Sequence, residues 1–195
     1  DCQTAAMGIK FSVESVDFNL NLLGGFNISN VLAAISIALS QGIDLKTCKL
    51  ALEKVKGIPG RLEIISEGQP FTVIVDLAHT PDSFEKIFKL VKEFPHNKII
   101  SVFGSAGVGR DKWKRPELGR IAARYSDYII LTNEDPYGDN PGQILSDIKS
   151  GISNFQFPIY EILDRREAIK KALALAKPND IILFLGKGTE QTMVI

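Results

Sequence analysis

The stretch TVIVDLAHTPDS, residues 72–83, places a carboxylate, Asp76, and an imidazole, His79, at the end of an apolar strand. Thr80 and Pro81 suit the cap and first position of a helix, whose N-terminus favours anions. That pattern fits a site for a nucleotide phosphate. Three further stretches carry groups of the same kind. GSAGVGRDKWKRP, residues 104–116, is glycine-rich and then basic, with Arg110, Lys112, Lys114 and Arg115. NEDPYGDNP, residues 133–141, holds Glu134, Asp135, Pro136, Tyr137 and Asp139. GKGTE fills residues 186–190.

Each stretch also has a plainer reading. A lone histidine usually hydrogen-bonds at a helix entry, Asp76 could merely cap, and a charge run is usually a solvated face. Asp-Pro and Gly-Asp pairs make turns. The glycine-rich loop is no Walker A loop, because Arg110-Asp111 stands where Lys-Ser/Thr would be. It is no G-x-G-x-x-G loop either, because Lys112 takes the third glycine position. Coincidence favours chemistry, since all the unusual residues follow apolar strands. A basic loop facing an acidic one suits a site that joins a phosphate donor to an amine-bearing acceptor.

The elements that would position these loops are legible. Residues 71–75, 99–103, 128–131, 158–162 and 181–185 read as strands, separated by amphipathic helices. That alternation predicts an α/β fold with a mostly parallel sheet covered on both faces. Ligands then bind outside the carboxyl ends of the strands. Upstream, residues 11–13 and 16–22 alternate in opposite parity, which predicts a hairpin turn or a bulge near Glu14 and Ser15. Asn27 or Ser29 starts an apolar helix, and Asp44 caps a second one ending at Gly57. Residues 1–58 carry too few apolar faces to close a core of their own. They read as the end of a preceding domain, and residues 59–195 as a second domain. The start at Asp1 and the apolar finish read as those of a piece of a longer protein.

Composition narrows the partners. Lys plus Arg and Asp plus Glu both number 23, so net charge is +0. Nothing global therefore points to nucleic acid or an anionic membrane. Cys2 and Cys48 form no CxxC, which fits a reducing, cytoplasmic setting. Only His79 and His96 are available to a zinc ion. No apolar run is long enough to span a bilayer.

Six motifs in order carry a resemblance: GGFNISN (24–30), GIPGR (57–61), VDLAHTPDS (75–83), GRDKWKRP (109–116), LDRREAI (163–169) and GKGTE (186–190). Together they resemble the Mur ligases, and most the type that adds the third residue of the peptidoglycan stem peptide. The resemblance implies the end of a central ATP-binding domain over residues 1–58 and a C-terminal Rossmann-like domain over 59–195. It implies ATP-dependent amide-bond formation with Mg2+, through an acyl phosphate of the substrate carboxylate. The small-molecule partners would be ATP, a UDP-muramoyl dipeptide and a diamino acid, acting on a monomer. Asn27 and Asn30 would lie by adenine, Arg61 by the ATP phosphates and Asp76 by the ribose. His79 would stabilise the transferred phosphate. Arg110, Glu134, Asp135, Pro136, Tyr137, Gly186 and Glu190 would hold the incoming amino acid. The magnesium ligands would lie upstream of Asp1, and this chain alone would be inactive.

Two departures bear on specificity. Diaminopimelate-adding members have Asp-Asn-Pro-Arg where Glu134, Asp135, Pro136 and Tyr137 stand, and a phenol cannot pair bidentately with a carboxylate. Thr189 stands where those enzymes have His. The expected acceptor is thus a diamino acid without a distal carboxylate, such as lysine, unless the pocket uses another carboxylate anchor. The alternatives are a sister ligase of the folylpolyglutamate or cyanophycin synthetase type, or a nucleotide- or amino-acid-binding module without catalysis.

Overall fold

The computed structural model describes residues 2–5, 8–190 and 192–194. It divides into two units, residues 1–58 and 59–195.

In the first unit, β1 (Cys2–Ala5), β2 (Gly8–Val13) and β3 (Val16–Leu20) form an antiparallel sheet in the order β1-β2-β3. Val13 pairs with Val16, so Glu14 and Ser15 make a two-residue hairpin rather than a bulge. Both have positive φ, 46° and 66°, as a turn matching the strands' twist requires. Helices α1 (Phe26–Ser40) and α2 (Leu45–Leu52) follow. Neither Asn27 nor Ser29 caps α1. Gly25 is its N-cap, with no side-chain hydrogen bond, and Asn27 instead donates to the Leu23 carbonyl at 2.8 Å. Asp44 does cap α2, but the helix stops before Gly57. The expectation that this stretch closes no core is corrected. Ile9, Phe11, Phe18, Leu20, Leu22, Val31, Ile35 and Cys48 form one, with Phe11 and Phe18 stacked at 5.0 Å. The inward rows of both hairpin strands meet one stripe of α1, which two or three apolar positions per element suffice to fill.

The second unit is a six-stranded sheet in the order β4-β5-β9-β6-β7-β8. Its strands are β4 (Glu63–Ile65), β5 (Thr72–Asp76), β6 (Ile99–Phe103), β7 (Tyr128–Leu131), β8 (Ile159–Glu161) and β9 (Ile181–Leu185). All are parallel except β4, which pairs antiparallel with β5. The short edge strand β4 was not expected, since three residues led by Glu63 are too short a run to mark a strand. Between the strands lie α3 (Pro81–Lys92), α4 (Lys114–Tyr125), α5 (Pro141–Lys149) and α6 (Arg165–Leu175).

The helices cover both faces. Val73, Ile100, Val102, Ile130, Ile182 and Phe184 pack with Ala168 and Ala172 of α6. On the other face Phe84 meets Phe103 edge-on at 5.2 Å, and Phe88 stacks on Tyr125 at 5.4 Å. Such aromatic pairs contribute about 0.5–1.5 kcal/mol each beyond burial. Thr80 and Ser83 form a reciprocal capping box at α3, and Asp164 caps α6 through the Glu167 N–H. The chain leaves β5 through α3 for β6 and only later returns to insert β9 between them. The loops after β5, β6, β7 and β9 therefore gather at one end of the sheet, around the point where strand order reverses.

Candidate functional site

Asp76 closes β5 with its carboxylate buried. Its Oδ2 accepts the Leu62 N–H at 2.7 Å, and its Oδ1 accepts the Ala78 N–H at 2.7 Å. Burial pushes its pKa up, opposed by those two N–H groups. One carboxylate thus pins the neighbours of both Arg61 and His79. The Leu77 N–H donates to the Gly60 carbonyl at 3.0 Å, tying the same two segments again. Leu62 accepts positive φ, 49°, to make the connection. Each Asp76 oxygen keeps a lone pair, so a ligand hydroxyl would add to this role rather than replace it.

His79 Nδ1 lies 2.9 Å from the Leu77 carbonyl, which fits a proton on Nδ1. The ring lines a cleft of about 460 Å³ with Arg110, Trp113 and Lys114. Arg110 is exposed and Lys114 is buried. Burial pulls the Lys114 ammonium down from its ordinary value, against the pull of Glu134. An imidazole, a guanidinium and an ammonium around one cleft, beside the capped N-terminus of α3, fit a phosphoryl group.

The next two loops are joined to each other. The Gly107 N–H donates to the Asp135 carbonyl at 2.8 Å. A Cβ on Gly107 would sit 1.7 Å from the Pro136 carbonyl oxygen, so only glycine permits this approach. The basic run is not the open cationic surface that its sequence suggests. Arg115 is buried and pairs with Asp139 and Asp147, and Lys112 lies 3.5 Å from Asp139.

Glu134 and Asp135 are adjacent but differ in kind. Asp135 is engaged on both oxygens, by Lys187 at 2.5 Å and by the Val194 N–H at 2.8 Å. Glu134 is buried, and its Oε2 has no hydrogen-bond partner among the described residues. Burial lifts its pKa to about 7, against the pull of Arg165, Lys114 and Lys187. Gly186 closes over it with φ of 89°, and a Cβ there would fall 2.3 Å from Glu134 Oε2. Tyr137, at the loop tip, is exposed with φ of 48°. The Glu190 carboxylate is used in its own loop, accepting the Gly188 N–H at 2.6 Å.

The four loops of the second unit thus bring together His79 with Arg110, and Glu134 with Gly186. Arg61 and Asp76 are linked through Leu62. Asn27 and Asn30 lie in the first unit, where the Asn30 amide donates to Asn27 at 2.9 Å. Sequence reading missed Arg165, which donates to the Asn133 and Leu185 carbonyls and stands near Glu134. Its only signal was its place in the LDRREAI motif. Among the described residues no three His, Cys, Asp or Glu side chains gather as around a metal ion. None of the described helices is long and apolar enough to cross a membrane.

Known proteins resemble this chain in sequence and in fold. Residues 60–188 match the family described as Mur ligase, glutamate ligase domain. The whole chain is 44% identical to 40% of the length of a UDP-N-acetylmuramyl-tripeptide synthetase from Roseiflexus sp. (strain RS-1). It is 41% identical to 40% of the length of the UDP-N-acetylmuramoyl-L-alanyl-D-glutamate–2,6-diaminopimelate ligase from Syntrophomonas wolfei. A solved structure of a ligase with that second name superimposes with a TM-score of 0.67 at 35% identity, over 100% of this chain and 40% of the other. The chain therefore spans about two-fifths of these relatives' length. With a family match over most of its length and the α/β architecture of those proteins, the chain belongs to the Mur ligases.

Proposed function

We propose that this chain serves an ATP-dependent ligase that adds a diamino acid to UDP-N-acetylmuramoyl-L-alanyl-D-glutamate, as the third residue of the stem peptide. The observation that carries the reading is Glu134, a buried carboxylate with an unpartnered oxygen in the loop after β7. A buried acceptor without a donor is costly, and a ligand ammonium would supply the missing donor. Tyr137 offers no fork for a second carboxylate. The two features together favour an acceptor with a distal amine and no distal carboxylate, with lysine the simplest.

The chemistry follows from placement. ATP would supply the phosphoryl group, which passes to the substrate carboxylate as ADP leaves, and Mg2+, with its ligands expected upstream of this chain, would offset the phosphate charge. His79, Arg110 and Lys114 line the cleft that suits that group's negative charge. His79 holds its Nδ1–H against the Leu77 carbonyl, and its other nitrogen can donate to the phosphoryl oxygens when it too carries a proton. Glu134 orients the amino acid by its distal end, so that the attacking amine meets the activated carbonyl and phosphate leaves. In this reading Asp76 sets the backbone that carries Arg61 and His79 and also receives the ribose, and Asn27 and Asn30 serve adenine. Gly186 shapes the amino-acid pocket, and Glu190 serves it by fixing the GKGTE loop.

Amino-acid-dependent phosphate release by the intact ligase tests the proposal. Lysine is expected to outpace diaminopimelate. Clear preference for diaminopimelate would sink the specificity assignment, and no release with either would sink the ligase reading. The chain by itself is expected to release no phosphate.

A further inference from the structure

We propose that Arg115 is a positioning residue for the incoming amino acid, holding the loops after β6 and β7 in fixed register. The inference rests on the ligase reading above and deepens it. Arg115 is 1% exposed. A guanidinium that deep is strongly unfavourable unless paired. Its partners come from three separate segments. Nη2 donates to Asp139 Oδ2 at 3.0 Å, in the acidic loop, and to the Ala106 carbonyl at 3.3 Å, in the glycine-rich loop. Nη1 donates to Asp147 Oδ2 at 2.8 Å, on α5. Asp147 is itself held by the Gln143 amide at 2.8 Å.

The consequence is geometric. Ala106 precedes Arg110 by four residues, and Asp139 follows Tyr137 by two. One planar fork therefore sets where the cleft-lining cation and the acceptor-loop tip stand relative to each other. The Gly107–Asp135 hydrogen bond acts in parallel but fixes a single point. Lysine cannot replace the fork, because an ammonium is one compact donor rather than two at fixed spacing. The fold has other support here. Leu118, Ile121 and Ala122 of α4 and Ile144, Leu145 and Ile148 of α5 are buried independently of the guanidinium. Loss of the clamp should thus free the loops before it opens the core.

The test is steady-state kinetics of the intact ligase as wild type, Arg115→Lys, Asp139→Asn and the double variant, with melting temperatures measured alongside. Lysine is varied at saturating ATP, and ATP at saturating lysine. Displaced loops should raise the amino-acid KM about tenfold or more in each single variant, with the ATP KM changed less than about twofold. The double variant should be no worse than the worse single one, since both break one clamp. An unchanged amino-acid KM, or equal rises in both KM values, would overturn the inference. A wild type without lysine-dependent phosphate release would instead remove the ligase reading, and this inference with it.

Discussion

Replacing Glu134 with Gln should change how stability depends on pH, in a direction that its surroundings fix. Burial pushes the Glu134 pKa up to about 7 in the fold, against an ordinary 4.5. The folded state therefore holds this proton more tightly than the unfolded state does. Below pH 4.5 both states are protonated and the contribution to stability is fully present. As pH rises from 4.5 to 7 the unfolded chain releases the proton first, so stability falls, and above 7 the loss is complete. A shift of about 2.5 units corresponds to about 3 kcal/mol, of which roughly 2–3 kcal/mol falls between pH 5 and pH 8. Glutamine cannot ionise, so the Glu134→Gln variant should lack this fall. The assay is urea denaturation of both proteins at pH 5, 6, 7 and 8. The difference in unfolding free energy between variant and wild type should move in favour of the variant by about that amount across the series. A difference that stays flat with pH would refute the claim that burial outweighs Arg165, Lys114 and Lys187 at this carboxylate.

Other substitutions separate the loops' roles. Asp76→Asn keeps one of two backbone hydrogen bonds and should cost about 1–3 kcal/mol in a melting experiment. It should also weaken apparent ATP affinity, and unchanged affinity would confine Asp76 to shaping the loop. Gly107→Ala places a methyl against the Pro136 carbonyl and should cost about 1–3 kcal/mol as the loops part. A stable variant with unaltered amino-acid KM would mean that the contact is slack. Tyr137→Arg in the intact ligase should raise diaminopimelate use relative to lysine by about tenfold, read as the ratio of kcat/KM values. No change in that ratio would remove position 137 from the pocket.

The α/β pattern was legible because five apolar runs, each bounded by helical periodicity, leave little choice of partner. What the pattern lacked was the order of strands. Nothing in the run from Ile181 to Leu185 says that it inserts between β5 and β6, because all buried parallel strands read alike. The strand from Glu63 to Ile65 escaped for the opposite reason. As an edge strand it opens on a charged residue, Glu63, and three residues carry no measurable period. The core of the first unit escaped because each of its elements looks thin alone. Only the pairing of Phe11 with Phe18 across the hairpin makes their faces add.

The candidate site shows the same limit at the level of single charges. A sequence records that Lys112, Lys114 and Arg115 are cations and that Glu134, Asp135 and Asp139 are anions, but not which have already neutralised each other. In the fold Asp139 takes Lys112 and Arg115, and Asp135 takes Lys187. Glu134 alone of the three acids is left with a buried oxygen that nothing in the described chain satisfies. Asp135 and Glu134 are chemically near-identical neighbours, and alternation along the loop sends one toward Lys187 and the other beneath Gly186. The pairing leaves one carboxylate unspent, and a bound ammonium there would relieve the desolvation penalty of the buried oxygen. Ligand binding at Glu134 should accordingly draw its pKa back down and release a proton near pH 7. Calorimetry of lysine binding in buffers of different ionisation enthalpy would measure that release. Binding heats that do not vary with buffer would place the amine elsewhere.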